Sequence, residues 1–177
     1  MEVFNVLIDL SEKIFWAMWV AVGFAMLFNT PRRAMFATAI LGGIGFTIKF
    51  VLLKTLMPNQ LVVTSFLGAF TVGMLGVYCA HLVHTPPVVF TIPAVINMIP
   101  GKFGYQFMMG LIKLVTEEDK QNIQPHDFME TFSNGLLTTF IVMALAFGIV
   151  APVLLFNTKT VKNKNLNKVI KEKVLKR

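Results

Sequence analysis

The stretch from Pro86 to Tyr105, PPVVFTIPAVINMIPGKFGY, is where residue types and spacing could do chemistry in an otherwise apolar chain. Each proline removes a backbone donor and disturbs the carbonyl one turn earlier. In hydrocarbon, the freed groups cost several kcal/mol each unless protein, water or a ligand satisfies them. Broken backbone at mid-membrane depth is therefore buried or lines a cavity, and the start of a half-helix there aims N–H groups and partial positive charge at an anion. Pro93, Asn97, Pro100, Gly101, Lys102 and Tyr105 are the candidate binding residues of the stretch. Gly101 opens the second half-helix and Lys102 adds charge beside it. The competing reading is a proline kink made for packing.

Two more polar residues belong to the same question. Lys49 interrupts an apolar run five residues before Lys54. Either its ammonium snorkels to the interface, or it faces a cavity and neutralises a carboxylate. Asn134, like Asn97, either bonds helix to helix or touches substrate. His81 and His84 form an H-x-x-H, but no third ligand follows at metal spacing, so neither metal nor cofactor is expected. Ser65, Ser133 and the histidines make no nucleophile-and-base constellation, so the chain does not read as an enzyme.

The elements that must position these residues follow from composition. Of 177 residues, 55% are hydrophobic and 14% charged, against roughly 45–50% and about 25% in an average soluble domain. Lipid is the expected solvent. Up to Phe156 eight basic residues balance eight acidic ones, so the whole surplus of +7 lies in the last 21 residues. A basic block beside the last apolar segment fits anionic headgroups, and no interleaved aromatics point to nucleic acid. Within it Leu166, Val169, Ile170 and Val174 fall at helical spacing, as in a basic helix lying on a membrane surface.

The expected fold is all-α and polytopic, with about five transmembrane helices, the fourth broken by prolines. Four runs are long enough to cross at about 1.5 Å per residue: Ile14 to Phe28, extended backwards by the Phe4 to Leu10 turns, then Ala34 to Leu53, Leu61 to Leu82 and Ser133 to Phe156. His84 to Val115 supplies the fifth, discontinuous crossing. Residues 1–156 form the transmembrane domain and 157–177 the basic tail. Arg32, Arg33 and the tail share one face, which the positive-inside bias makes cytoplasmic, so the N-terminus lies outside. Counting both halves of the broken stretch as crossings would separate the arginines from the tail. The acidic start, with Glu2, Asp9 and Glu12, does not read as a cleavable signal. Ser65, Ala69, Gly73, Gly76 and Ala80 line one face of the third span and predict close helix packing there. Gly42, Gly43 and Gly45 fit either a tight crossing or a flexible point.

The run Pro93 to Gly101 followed by Tyr105 resembles the P-x-x-x-P-x-x-PG motif of the threonine/serine exporter family, and VGFAMLFNTPRRA, Val22 to Ala34, looks like that family's first span and loop. The resemblance covers essentially Val3 to Phe156. It is closest to the short, five-span YjjB-like members, which correspond to the carboxy-terminal half of ten-span exporters. It implies a bacterial inner-membrane location and a second, YjjP-like subunit carrying the other half. The implied substrates are small carboxylates: threonine and serine in one branch, succinate in another. Asn97 stands where the family usually shows the middle proline, a departure that bears on substrate choice. Five spans are also few to enclose a pathway, so a partner or self-association is expected. A membrane scaffold that transports nothing is the other reading, and a scaffold has no reason to break a helix near the midplane.

Overall fold

The computed structural model describes residues 2–116 and 125–156. The basic tail with its expected surface helix, and the acidic loop at 117–119, lie outside them. Six helices make up the described chain: α1 Glu2–Leu27, α2 Arg32–Thr55, α3 Leu61–Val83, α4 Pro87–Ile96, α5 Gly101–Thr116 and α6 Pro125–Leu155. Four are long and apolar enough to cross a membrane, and α4 with α5, bent by 69° at a short break, makes a fifth when counted as one span.

Local sequence explains where the helices stop. Asn29 ends α1 in the left-handed region, with φ 53°, a conformation its short polar side chain tolerates. The amide of Thr30 donates to the carbonyl of Ala25 at 2.9 Å and that of Asn29 to Met26 at 3.0 Å, so two end carbonyls are capped. Pro31 then fixes the entry to α2. Asn59 and His84 hold the same left-handed geometry before α3 and after it. Pro87 begins α4 and Pro125 begins α6, each at a first-turn position where a missing N–H costs nothing.

Small residues set how closely the helices approach. A Cβ on Gly42 would lie 2.6 Å from that of Ala21 on α1 and 3.3 Å from the Ala94 carbonyl on α4. At Gly73 it would lie 3.0 Å from the carbonyls of Gly148 and Ile149 on α6, and at Gly148 2.7 Å from the Cβ of Ala69. Ser65, Ala69, Gly73, Gly76 and Ala80 are all buried, as their spacing predicts. The glycines of α2 are tight crossings. Pro152 denies the Gly148 carbonyl its helical donor, and Gly73 brings a bare backbone against that oxygen, where a weak Cα–H···O contact can form.

The same contacts give each helix a sense. Gly45 meets Val72 and Gly68 meets Lys49, so α2 and α3 run antiparallel; Gly68 meets Met98 and Gly76 meets Thr91, so α4 opposes α3. Gly104 meets Thr138 and Gly110 meets Thr131, so α5 opposes α6. Phe66 meets Gly148 and Gly73 meets Pro152, so α3 and α6 run parallel. Since α4 opposes α3 and α5 opposes α6, the two halves of the broken pair run in one direction. That arrangement fits a bent crossing and not a hairpin that returns to its own side.

Candidate functional site

The break is where freed backbone groups must find partners, and three of them can be followed. Pro93 removes the donor that would have served the Val89 carbonyl one turn back, and the Thr30 hydroxyl donates to that oxygen instead, at 3.3 Å. Pro100 does the same to Ile96, whose carbonyl accepts from the Ile99 amide at 3.0 Å. Beyond Asn97 the ladder stops, and the Met98 carbonyl accepts from the Lys49 ammonium at 2.6 Å. A side chain from α2 thus replaces the amide that Lys102 would have offered in a continuous helix.

Lys49 is positioned for this by bare backbone. A Cβ on Gly68 would come within 2.9 Å of the Gly45 carbonyl and 3.5 Å of Lys49 Cβ. The side chain of Met98 fills the space between those two glycines, and Met98 is almost fully buried. The lysine is half-buried and runs along this seam, so its ammonium sits at the negative end of α4, where a cation is favoured. The partner of the ammonium is thus a backbone carbonyl of the break, which neither reading from the sequence named.

Asn97 lies beside this bond. Its Nδ2 donates to the Ala17 carbonyl of α1 at 3.3 Å, whereas Oδ1 is buried with no hydrogen-bond partner. Pro93 is buried one turn earlier. Lys49 from α2, Asn97 and Met98 from the break, and Ala17 from α1 therefore converge. Ser65 Oγ, also buried and without a partner, lies on α3 one turn before Gly68, near the level at which Lys49 crosses.

Other expected site residues lie elsewhere. Among the described helices α5 packs against α6 alone. It carries no buried residue; Gly101 and Lys102 are exposed, and Tyr105 is 66% exposed. Pro100 is half-buried, and its carbonyl accepts from the amides of both Phe103 and Gly104, at 3.1 and 3.2 Å. The Gly101 amide turns back to Ile99 at 2.9 Å. The start of α5 is thus largely satisfied by its own turn, which moves weight from its amides to Lys49. Asn134 sits on α6 beside Gly135, against which the Phe107 ring packs, in a different helix pair from the break.

Met98, Ala17 and Gly68 are the partners of the candidate residues that sequence reasoning missed. The signal for Met98 was present in part, because a carbonyl four residues before Lys102 loses its donor wherever Pro100 and Gly101 interrupt the helix. Two apolar clefts are lined by residues outside the break. One of about 280 Å³ between α1 and α2 is lined by Ile14, Met18 and Ile44 among others, and one of about 240 Å³ between α2 and α3 includes Arg33 and Cys79.

A match to the family model described as Threonine/Serine exporter, ThrE, spans residues 13–155, from the middle of α1 to the last residue of α6. The chain belongs to the threonine/serine exporter family. This exporter-family chain is also similar to an uncharacterized protein of Haemophilus influenzae, 33% identical over 150 residues, which make up 85% of this chain and 48% of the relative. It spans about half the length of that relative. No solved structure matches it. Family and helices together make the chain a multi-pass membrane protein of an exporter family, a class of transporters and not of enzymes.

Proposed function

We propose that this chain is one half of a membrane exporter for small carboxylates or amino acids, threonine- and serine-like or succinate-like, with the break between α4 and α5 as its substrate station. The Lys49 bond to the Met98 carbonyl carries the reading, because it holds a cation inside the helix bundle against a neutral partner. A substrate carboxylate is a stronger acceptor for that ammonium than a carbonyl is. When one enters, the ammonium turns to it and the Met98 oxygen is released to the substrate or to water. Asn97 and Pro93 shape the station, while Pro100 and Gly101 keep the helix broken. Gly101, Lys102, Tyr105 and Asn134 border the route that continues along α5 and α6.

A second membrane subunit, carrying the other half of the family fold, completes the pathway. One observation supports this: the chain covers 48% of its relative. The proposed setting is the bacterial inner membrane, N-terminus outside and tail in the cytoplasm beside anionic lipid. The experiment is to co-express the chain with its neighbouring short membrane protein and follow efflux of labelled threonine, serine and succinate. Efflux of at least one that needs both proteins is the expected result. Efflux that never depends on this chain would leave the scaffold reading standing.

A further inference from the structure

The cleft between α2 and α3 is apolar along its length and cationic at one end. Phe36 and Ile40 wall it on α2, Cys79 and Leu82 on α3, and Arg33 is the charged residue of its lining. From Arg33 to Ile40 it follows α2 for about 10 Å. Helix α2 has 24 residues, about 36 Å, against a hydrocarbon core of roughly 30 Å, so Arg33 in its first turn stands at headgroup level and Ile40 among acyl chains. Arg33 is exposed and makes no hydrogen bond or ion pair among the described residues. Arg32 beside it is exposed too. The acidic residues of the described helices lie in the first half of α1 and the first two turns of α6, toward the opposite end of the bundle, since α1 runs antiparallel to α2 and α6 parallel to α3. The arginines therefore have no local counter-charge from those helices. The cleft between α1 and α2 differs on this point, because no charged residue lines it.

We infer that the α2–α3 cleft is a binding site for an anionic phospholipid, with one acyl chain lying along Phe36 and Ile40 and the headgroup phosphate paired with the Arg33 guanidinium. The guanidinium offers a planar fork of donors that matches phosphate oxygens two at a time. A soluble anion would use that fork and leave the apolar wall unfilled, whereas a purely apolar ligand would fill the wall and leave the cation bare. A phospholipid does both. Net charge then decides among phospholipids, because a choline headgroup brings its own cation to a place where Arg32 and Arg33 already stand, and a glycerol headgroup does not. The site lies outside the break and is independent of what the chain exports.

The test places the full chain in lipid nanodiscs with a trace of phosphatidylglycerol or phosphatidylcholine that carries a photoreactive diazirine midway along one acyl chain, and locates the crosslinked peptides by mass spectrometry. The phosphatidylglycerol probe should label the segments around Phe36 to Ile40 and Cys79 to Leu82 about 5-fold more than the phosphatidylcholine probe does. At Ile14 and Met18, in the cleft without a cation, the two probes should label alike. Arg33→Gln, a change at an exposed side chain, should bring the probes to within about 2-fold of each other in the α2–α3 cleft. Equal labelling by both probes in the unmodified protein would overturn the inference, making the cleft ordinary lipid-facing surface, and this needs no variant to fold. The same preference at both clefts would overturn it too, as general enrichment of anionic lipid around a basic protein. So would a preference that survives Arg33→Gln. Labelling that disappears when the chain is co-purified with its neighbouring membrane subunit would show that protein, and not lipid, covers the cleft.

Discussion

At the scale of single residues the telling contact is a lysine bonded to a backbone carbonyl. Lys49 does the work of a missing amide for Met98, and its removal has two separable consequences. Lys49→Leu leaves the carbonyl buried without a donor, which costs about 1–3 kcal/mol and should lower the thermal midpoint of the purified protein. Lys49→Gln keeps a donor on a shorter side chain while losing the charge. It should hold membrane abundance near normal and cut export about 10-fold or more, with dianions hurt more than zwitterions because only a net anion gains strongly from a neutralising cation. Efflux and melting on both variants separate charge from capping, and equal export losses in variants of equal stability would remove Lys49 from the substrate path. By contrast, Lys113 and Asp127 meet at 2.8 Å between α5 and α6, but at 58% and 36% side-chain exposure solvent screens the pair and it adds little to stability.

Helix by helix, the break and the glycine crossings carry the consequences. Pro100→Ala with Gly101→Ala restores one donor and removes the permissive residue, so α4 and α5 should join into a straighter helix. Nothing lies within 4 Å of a Cβ placed on Gly101, so no clash confuses the result. The double variant should insert and assemble, since a regular helix is comfortable in lipid, yet export should collapse. Normal export from a well-inserted variant would show the break to be a packing kink. Gly148→Val probes the crossing of α3 and α6 instead: the new Cβ would stand 2.7 Å from Ala69 Cβ and 3.0 Å from the backbone of α3. Overpacking of this kind costs about 1–3 kcal/mol, read as a lower melting temperature in detergent, with Gly23→Val, which has open space around it, as the neutral control.

The same comparison shows what the sequence could reveal. Span lengths were legible because an apolar run must match the bilayer, and the break because proline has no N–H to give. The start of α6 was not: the expected span began at Ser133, while the helix begins at Pro125, since residues from His126 to Thr131 are too polar to read as membrane. What recruits them is the neighbouring helix, with Thr131 set against Gly110 and Asp127 against Lys113. The bond between Lys49 and Met98 was equally hidden, because a carbonyl has no residue type to betray it. Lys49 stood out alone, with two readings, and the approach of α2 at Gly45 and α3 at Gly68 sets it against the Met98 carbonyl, a partner that neither reading named.

For the whole molecule the open question is handedness in the membrane, and the senses of the helices answer part of it. If α4 and α5 share one direction, as their packing against α3 and α6 indicates, the crossings alternate and the start of α1 and the end of α6 face opposite sides. Arg32 and Arg33, at the start of α2, then lie on the face at which α6 ends, just before the lysine-rich sequence 157–177. Both basic groups on one face is what the positive-inside bias selects, and a returning α4–α5 hairpin would divide them. A reporter active only in the cytoplasm should therefore work when fused after Arg177 and fail when fused after Gln121. The opposite pattern at both positions would invert the orientation, and activity at both would mean that α6 does not cross. The second outcome would also contradict the parallel packing of α3 against α6, so the fusions test the helix contacts and the charge rule together.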